Sequence, residues 1–364
     1  MKLQNKYTIA LVGFRLSGGG AERVMANLSV YFDQIGIEVY IVTVIDELGY
    51  EFRGKVFSTS ASNYGYGITG RYKRFLKLKQ FFSTNKFDFI IDFRFRTKGI
   101  QEWVIAKYIY KAPTVFTIHS SKIHDYIPTQ DIFSKWIYGK AYQMVAITEE
   151  INRMVTVNSQ LSNVTTIYNP VDFESIDRLK VEAIDLQFDY IIGVGQYENG
   201  VKQFDHLIEA YSKSSLRHHQ IHLVICGTGR LIGELKEQVI SCKIVDFVHF
   251  IGFQDNPYKY IKNAKFLTLS SQFEGLPMVL IESLACETPV VSYDCLSGPK
   301  EIVIPYKNGL LVEDQNIDKL KEALDLFIDN VDLYNSCKAY AKESIGQFSL
   351  EIVGQKWVSL MKMS

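Results

Sequence analysis

Residues 268–291 read TLSSQFEGLPMVLIESLACETPVV, which is a short apolar strand followed by a polar turn and then a helix. The strand is predicted over 266–269 and the helix from about Pro277, because proline in a first helical turn gives up no hydrogen bond. A helix start behind a glycine-containing turn offers N–H groups and a positive dipole end, which favour a phosphate. Glu274 lies in that turn and Glu282 lies on the helix. A phosphate site flanked by two carboxylates that can accept hydrogen bonds from hydroxyl groups is typical of a nucleotide-sugar site.

This segment resembles the retaining glycosyltransferases of family 4, which have the GT-B fold. The resemblance rests on two glutamates separated by seven residues, on Ser270 and Ser271 before them, and on the run ACETPVVSYDCLSGPKEI after them. In that family the first glutamate faces the donor sugar, the second binds the ribose hydroxyls, and backbone N–H groups between them meet the sugar and the diphosphate. The resemblance assigns these roles to Glu274, to Glu282, and to Gly275, Leu276, Pro277 and Met278 between them. The alternative is an exposed helix with two solvated glutamates, but the apolar run 279–281 predicts a buried face.

The composition sets broad limits on the class of protein. Of 364 residues, 47% are hydrophobic and 22% charged, as expected for a globular chain with two domains. No run of 18 apolar residues is present, so we expect no membrane-spanning segment. An apolar stretch near the start leads into a glycine-rich turn, which predicts a first buried strand and not a signal peptide. The five cysteines form no CxxC motif, which favours a reducing, cytoplasmic compartment and no zinc site.

The zero net charge conceals an asymmetry between the two halves. Residues 1–170 carry 21 Lys and Arg against 13 Asp and Glu, whereas 171–364 carry 19 against 27. Such an excess of positive charge predicts that the first half meets an anionic surface.

The richest basic and aromatic run is predicted as a helix over 69–83. Phe75, Leu78 and Phe82 are spaced for one helical face. Such a helix favours an anionic membrane surface, where each Lys or Arg contributes about 1 kcal/mol. The alternative is an amphipathic helix packed on the sheet with a solvated basic rim. Nucleic acid is not indicated, because no recognition module accompanies the patch. The candidate acceptor-binding or membrane-binding residues of this helix are Arg71, Lys73, Arg74 and Lys77.

Strand and helix patterns alternate through both halves of the chain. Nearly continuous apolar strands separated by helices predict parallel sheets covered on both faces. The fold class is therefore α/β with two doubly wound, Rossmann-like domains, and the resemblance implies the GT-B arrangement in which they face a cleft. Strands are predicted at 8–12, 39–44, 87–92, 114–118, 144–147 and 164–168, and then at 190–194, 221–226, 247–251, 266–269 and 290–292.

The expected domains are 1–172 and 188–345, joined by a polar linker over 174–187. The resemblance assigns acceptor binding to the first domain and nucleotide-sugar binding to the second. Residues 348–364 are predicted to form an amphipathic helix capped by Ser349, which in similar proteins crosses back to the first domain.

Two stretches of the first domain follow predicted strands, where parallel sheets bind ligands. Gly18, Gly19 and Gly20 precede a helix start and look like the GGAE element of the family, which closes over the reacting centre. Their plain alternative is a tight turn. His119 ends a strand, and in similar enzymes a histidine there contacts the transferred sugar, although a structural histidine is the other interpretation; His124 is a second candidate.

A third stretch contains Arg94 and Arg96, two residues apart after another strand. Alternation at period two places both on one side if the strand continues. They either bind a phosphate of the acceptor or are solvated.

The loop after the first strand of the second domain carries further candidates. The family generally has an arginine after the second glycine and a lysine before the next helix, both on the donor diphosphate. Lys202 fits the lysine position, whereas Gln196 replaces the arginine with a neutral donor. Arg230 could compensate, or only begin a helix.

The residues and the resemblance together predict a retaining glycosyltransferase that uses a nucleotide sugar, expected to be a UDP-sugar, with Glu274, His119 and Lys202 at the reacting centre. The resemblance points to bacterial enzymes that build cell-surface polysaccharide, with a glycan or lipid-linked saccharide as acceptor and peripheral attachment to the inner face of the membrane. We expect no metal or other cofactor, because basic residues and helix starts neutralise the diphosphate. The alternatives are a nucleotide-sugar 2-epimerase and a non-catalytic, transferase-like scaffold.

Overall fold

A computed structural model describes residues 6–60, 67–128, 131–139, 141–159 and 161–363. The chain divides into two compact units. Unit 1 comprises Met1–Val171 and Phe348–Ser364, and unit 2 comprises Asp172–Gln347. Each unit is an α/β layer structure built on a parallel sheet, as the sequence predicts. Among the described helices, no stretch combines the length and hydrophobicity needed to span a bilayer.

Unit 1 is built on a seven-stranded parallel sheet in the order β3-β2-β1-β4-β5-β6-β7 within the described residues. Its central strands are buried because helices cover both faces, which explains their continuous apolar sequence. The strands are β1 Thr8–Gly13, β2 Glu38–Thr43, β3 Lys55–Ser58, β4 Phe89–Asp92, β5 Thr114–Ile118, β6 Gln143–Ala146 and β7 Val164–Thr166. The helices are α1 Gly20–Gln34, α2 Ile68–Thr84, α3 Gly99–Val104, which continues as a π-helix over Ile105–Ile109, α4 Asp131–Tyr138 and α5 Glu149–Ser159.

The last helix of the chain, Leu350–Leu360, belongs to unit 1. Ser349 caps it by accepting a hydrogen bond from the Ile352 N–H, as the sequence predicts. Trp357 and Val353 are buried in the same core cluster as Tyr31 of α1. The apolar face of this helix therefore completes the core of the first unit.

Unit 2 has a six-stranded parallel sheet in the order β10-β9-β8-β11-β12-β13 within the described residues. The strands are β8 Tyr190–Val194, β9 His222–Cys226, β10 Val248–Gly252, β11 Leu267–Leu269, β12 Val290–Tyr293 and β13 Gly309–Val312. The helices are α6 Phe173–Leu179, α7 Phe204–Lys213, α8 Ile232–Ser241, α9 Tyr258–Asn263, α10 Met278–Ala285, α11 Pro299–Ile302, α12 Ile317–Asp329 and α13 Val331–Tyr340, and the C-terminal helix of unit 1 is α14.

The first part of the stretch predicted as a linker is helical instead, because α6 covers Phe173–Leu179. Asp172 caps α6 by accepting a hydrogen bond from the Ser175 N–H at 3.0 Å, and Ile176 is buried. The Lys180 ammonium after this helix donates to the Glu287 carboxylate at 2.9 Å. Polar composition concealed this helix, because it buries only a narrow apolar side. Two edge strands, β3 and β13, were also missed, because each has only four residues, and β3 is in addition partly exposed.

Candidate functional site

An ion pair lies at the C-terminal edge of the unit 2 sheet. The Lys202 ammonium is 2.7 Å from the Glu274 carboxylate, and the two side chains are 24% and 14% exposed. Lys202 lies in the loop after β8 and Glu274 in the loop after β11. Because β8 and β11 are neighbours in a parallel sheet, both loops leave the same edge. The sheet thus brings together two residues that are 72 positions apart.

Hydrogen bonds to the backbone hold the lysine loop in place. The Ser270 hydroxyl lies 2.8 Å from the carbonyl oxygens of both Lys202 and Gln203. The Gln272 N–H donates to the Val201 carbonyl at 2.9 Å. The resemblance drew attention to Ser270, and the structure shows that its side chain joins the two loops that carry the ion pair.

Close backbone contacts at this edge exclude side chains at two positions. At Gly227, after β9, φ is +146°, and a Cβ atom would lie 1.9 Å from the Gly195 carbonyl oxygen. At Gly298, φ is +98°, and a Cβ atom would lie 2.6 Å from the Gly275 carbonyl oxygen. Glycine is required at both places, since any other residue would be strained and would clash. The sequence offered these glycines as a signal, but spacing alone did not show which loops they bring together.

The helix α10 begins directly behind the glutamate turn. Pro277 is its N-cap residue, and the Ser297 hydroxyl donates to the Gly275 carbonyl at 3.0 Å. The first N–H groups of a helix have no acceptor within the helix, so this start can receive an anion. Leu276 is buried beneath the turn and Met278 is half-buried.

Glu282 lies one turn into α10 on the side facing α9. Its carboxylate accepts a hydrogen bond from the Tyr258 hydroxyl at 3.4 Å, and the residue is half-buried. The apolar residues around it in the helix are buried, as the sequence predicts. Tyr258 was not anticipated, because its sequence neighbours give no sign of a contact with a helix start 20 residues later.

Gln196 and Arg230 lie in loops after β8 and β9. Gln196 is exposed. The Arg230 guanidinium is 3.1 Å from the Glu198 carboxylate and is 78% exposed. Arg230 is therefore paired within its own surface region, and the structure does not bring it to the Lys202–Glu274 pair through any contact among the described residues.

The glycine turn of unit 1 precedes α1. Gly18 has φ +72°, in the left-handed region, and Gly20 is the first residue of the helix. The Gly19 carbonyl accepts a hydrogen bond from the Tyr50 hydroxyl at 3.3 Å. Burial raises the pKa of Glu22 in the first turn. The turn is thus fixed at its C-terminal end by a tyrosine from a different loop.

His119 follows β5 and is partly buried. Its Nε2 atom lies 2.9 Å from the Thr117 hydroxyl, whereas its Nδ1 atom is buried without a hydrogen-bond partner in the described residues. Burial, with a smaller effect from Arg96, lowers the pKa of His119 to about 3. The imidazole is therefore neutral near pH 7, and one of its nitrogens has no hydrogen-bond partner among the described residues. His124 is 61% exposed and lies 3.7 Å from Asp125.

The two arginines after β4 differ from the prediction. Arg94 is only 10% exposed and pairs with Asp92 at 2.7 Å and with Glu102 at 2.9 Å. Burial alone would raise the pKa of Asp92, but Arg94 and Arg96 hold it below its usual value. Arg94 is therefore held by ion pairs inside unit 1 and is not a solvated side chain.

Arg96 is fully buried and is a structural residue. Its guanidinium donates to the Thr117 carbonyl at 2.7 Å and to the Tyr138 hydroxyl at 3.1 Å. It also lies over the rings of Phe116 and Tyr126, at 5.2 Å and 5.5 Å from their centroids. The prediction that it faces a phosphate or solvent is wrong, because the chain turns inward after β4 and does not continue as a strand.

The basic residues of α2 lie in three different settings. Arg71 and Arg74 line a groove of unit 1, and Lys73 is exposed on another side of the helix. The Lys77 ammonium donates to the Ser58 carbonyl at 2.8 Å, so it holds α2 against β3. No group of three or more His, Cys, Asp or Glu side chains in the described part of the chain is arranged to hold a metal ion.

Two family models divide the chain between them. The model described as Glycosyl transferases group 1 matches residues 176–344, and the model described as Glycosyltransferase Family 4 matches 18–175. Two Rossmann-like units with these matches define the class as a two-domain glycosyltransferase of GT-B fold. The chain belongs to the glycosyltransferases of the group 1 and family 4 type.

Curated relatives and solved structures agree with this class. The chain is 36% identical over 176 residues to the N-acetylgalactosamine-N,N'-diacetylbacillosaminyl-diphospho-undecaprenol 4-alpha-N-acetylgalactosaminyltransferase of Campylobacter jejuni, covering 48% of this chain and 47% of the relative. It is 24% identical over 360 residues to a second Campylobacter jejuni enzyme, GalNAc-alpha-(1->4)-GalNAc-alpha-(1->3)-diNAcBac-PP-undecaprenol alpha-1,4-N-acetyl-D-galactosaminyltransferase, covering 97% and 98%. The crystal structure of Anabaena Alr3699/HepE in complex with UDP has a TM-score of 0.77 at 16% identity, covering 98% of this chain and 99% of that one.

The extent of these matches differs among relatives. The first of them and two further curated relatives are matched over 47%, 61% and 45% of their own lengths, so the chain spans about half of each. The structural likeness, at 16% identity, concerns the fold.

Proposed function

We propose that this protein transfers a sugar from a nucleotide-sugar donor, a UDP-sugar, to a glycan or lipid-linked saccharide, with retention at the anomeric carbon. The observation that carries the proposal is the Lys202–Glu274 pair, 2.7 Å apart at the strand edge of unit 2 and accessible to a ligand. The relatives named for transfer to diphospho-undecaprenol saccharides support a role in cell-surface polysaccharide biosynthesis.

Lys202 stabilises the leaving diphosphate. In the unliganded pair its charge is neutralised by Glu274. A bound diphosphate offers a competing partner whose negative charge grows as the glycosidic bond breaks, so the lysine binds the transition state more tightly than the ground state. Glu274 is then released to accept hydrogen bonds from the sugar hydroxyls.

The start of α10 supplies the second part of the donor site. Backbone N–H groups of the turn 275–278 meet the sugar and the diphosphate, because a helix start favours an anion. Glu282, oriented by Tyr258, accepts hydrogen bonds from the ribose hydroxyls. Gln196 contributes one neutral donor, so the diphosphate depends more heavily on Lys202. Arg230 contacts the donor only if it leaves Glu198.

Two elements of unit 1 serve the reacting sugar. His119 is neutral, so its imidazole is suited to orienting the sugar and not to proton transfer at neutral pH. The turn Gly18–Gly20 brings backbone close to the sugar. We propose that no metal ion is needed, because Lys202 and the helix start neutralise the diphosphate.

We also propose that the basic side of unit 1 holds the protein at the cytoplasmic face of an anionic membrane. The exposed residues Tyr72 and Lys73 of α2 support this location. A lipid-linked acceptor requires such a location, since its saccharide stays near the membrane surface.

Calorimetric titration with UDP-, GDP- and ADP-sugars tests the proposal. We expect one class of nucleotide sugar to bind, to be slowly hydrolysed without acceptor, and to bind at least tenfold more weakly to Lys202→Met, since a charge-assisted contact is lost. The matched control is Lys236→Met, which removes an exposed lysine from α8 of the same unit. Absence of binding by every donor would identify a scaffold, and inversion seen in the proton NMR spectrum of the product would contradict retention.

A further inference from the structure

A groove of about 740 Å³ lies within unit 1, between the ends of β1, β2 and β4 and the helices α2 and α3. Its volume is in the range of sites that bury a small organic ligand. Its walls are mainly aliphatic and aromatic side chains, and its charged residues lie on the two helices and in the loop between β4 and α3. The side chains of the wall that the argument uses are Val12, Val42, Val44, Phe75, Leu78 and Ile105. This site is called the apolar groove below.

The charge around the groove is strongly one-sided. Residues 67–112 contain eleven Lys and Arg and only three Asp and Glu. Two of these acids, Asp92 and Glu102, are buried and paired with Arg94. The third, Asp88, accepts a hydrogen bond from the Thr8 N–H at the start of β1, at the opposite edge of the sheet. The groove is lined by the exposed cations Arg71 and Lys98, whereas the acids of residues 67–112 are paired with Arg94 or bound to the Thr8 N–H.

We propose that the apolar groove binds the hydrocarbon chain of the acceptor, and that the phosphate which links this chain to the saccharide lies at the mouth between Arg71 and Lys98. The inference rests on the proposed function, since it names the acceptor of that transferase as a phosphate-linked lipid. Apolar walls offer few hydrogen bonds to a free glycan, whereas a hydrocarbon chain is stabilised by burial. The cationic mouth complements a phosphate or diphosphate.

Farnesyl diphosphate is the probe that tests both halves of this ligand. We expect it to bind at least tenfold more tightly than inorganic diphosphate and more tightly than farnesol, because chain and phosphate contacts act together. Calorimetry below the aggregation concentration of the probe gives the three affinities. Equal affinity for farnesyl diphosphate and inorganic diphosphate would overturn the proposal.

One variant with a matched control tests whether the binding site is the groove. Gln101→Trp places an indole in the groove from α3, and Ile100→Trp adds the same indole one residue earlier at a position that is 70% exposed and outside the groove. We expect Gln101→Trp to abolish farnesyl diphosphate binding and Ile100→Trp to preserve it. Equal affinities in both variants would contradict a site in the groove.

Two double variants test whether the positive charge at the mouth of the groove contributes to binding. Arg71→Gln with Lys98→Gln removes two cations that line the groove, and Lys79→Gln with Lys86→Gln removes two exposed lysines that do not. The first pair is expected to weaken farnesyl diphosphate binding about tenfold or more, as a lost charge-assisted contact predicts, and the second to leave it within twofold. If both pairs instead weaken only sedimentation with phosphatidylglycerol vesicles, to the same extent, the surface is a general membrane face and the groove proposal is wrong.

Nucleotide-sugar titration separates this inference from the proposed function. All four variants are expected to bind the donor as the unmodified protein does, because every substitution lies in unit 1 outside the residues assigned to the donor. A protein that binds the nucleotide sugar but not farnesyl diphosphate retains the transferase proposal and loses this one.

Discussion

The two units have parallel sheets with corresponding strand orders. They differ in how deeply the charged side chains at the C-terminal strand ends are buried. In unit 1, Asp92 and Arg96 are fully buried and Arg94 is nearly so. In unit 2, Lys202 and Glu274 form a partly exposed pair. Charged residues at the C-terminal strand ends thus have different roles in the two units. Buried charges fix a loop, whereas an accessible pair can exchange one partner for a ligand.

The largest effect is expected from Arg96→Met. It removes a buried guanidinium that donates to the Thr117 carbonyl and the Tyr138 hydroxyl and that helps to neutralise buried Asp92, so unit 1 should lose about 3–5 kcal/mol of stability. Scanning calorimetry measures the loss as a lower Tm. The control, Arg53→Met, removes an arginine that is 55% exposed and should change the Tm little. Similar Tm values for both variants would place Arg96 among the accessible charges.

Lys202→Met should show the opposite profile. Loss of the cation at the leaving group is expected to lower kcat by roughly 10²–10³, while the Tm changes little because the pair is partly exposed. Steady-state kinetics together with scanning calorimetry measures both quantities. A large fall in Tm with a modest fall in kcat would make this pair structural, like the charges of unit 1.

Gly227→Ala tests the close contact between the loops after β8 and β9. A Cβ atom there would lie 1.9 Å from the Gly195 carbonyl oxygen, so we expect a loss of stability greater than about 1 kcal/mol and weaker donor binding. Gly233→Ala is the matched control, because no atom lies within 4 Å of its Cβ position in α8, and it should stabilise the protein slightly. Chemical denaturation compares them. Equal behaviour would show that the two loops can separate.

The smallest measured change is expected in the NMR signal of the His119 ring between pH 5 and 8. Its folded pKa of about 3 lies below the unfolded value near 6.5, so the unfolded chain binds the extra proton between these values. The stability is fully present above pH 6.5 and declines as the pH falls toward 3. The His119 ring signal, assigned with His119→Gln, should therefore stay constant in NMR spectra from pH 5 to 8. A midpoint near 6.5 would show that the ring is solvated.

Much of the fold was predictable because central strands are continuous and apolar. The bounds of β5 and β8 match the predicted strands 114–118 and 190–194, since each strand has a sharp change from apolar to polar residues at its ends. The helix α6 was missed because its burial is slight and its cap, Asp172, is a residue that is common in loops. Amphipathic spacing cannot separate a linker from a short helix of this kind.

The candidate site was predictable in its parts but not in its contacts. Resemblance selected Lys202 and Glu274 separately, and only the sheet order shows that they form an ion pair. Alternation placed Arg94 and Arg96 on one side, which requires a straight strand, but β4 ends at Asp92. The inward turn of Arg96 depends on Tyr138, 42 residues away, and no local pattern carries such information.

A crystal structure of the protein soaked with a UDP-sugar tests the central claim most directly. The account predicts the diphosphate within hydrogen-bond distance of the Lys202 ammonium, at the start of α10, with the lysine shared between the diphosphate and Glu274 or released from the carboxylate. A nucleotide bound elsewhere, with the 2.7 Å pair intact, would contradict it.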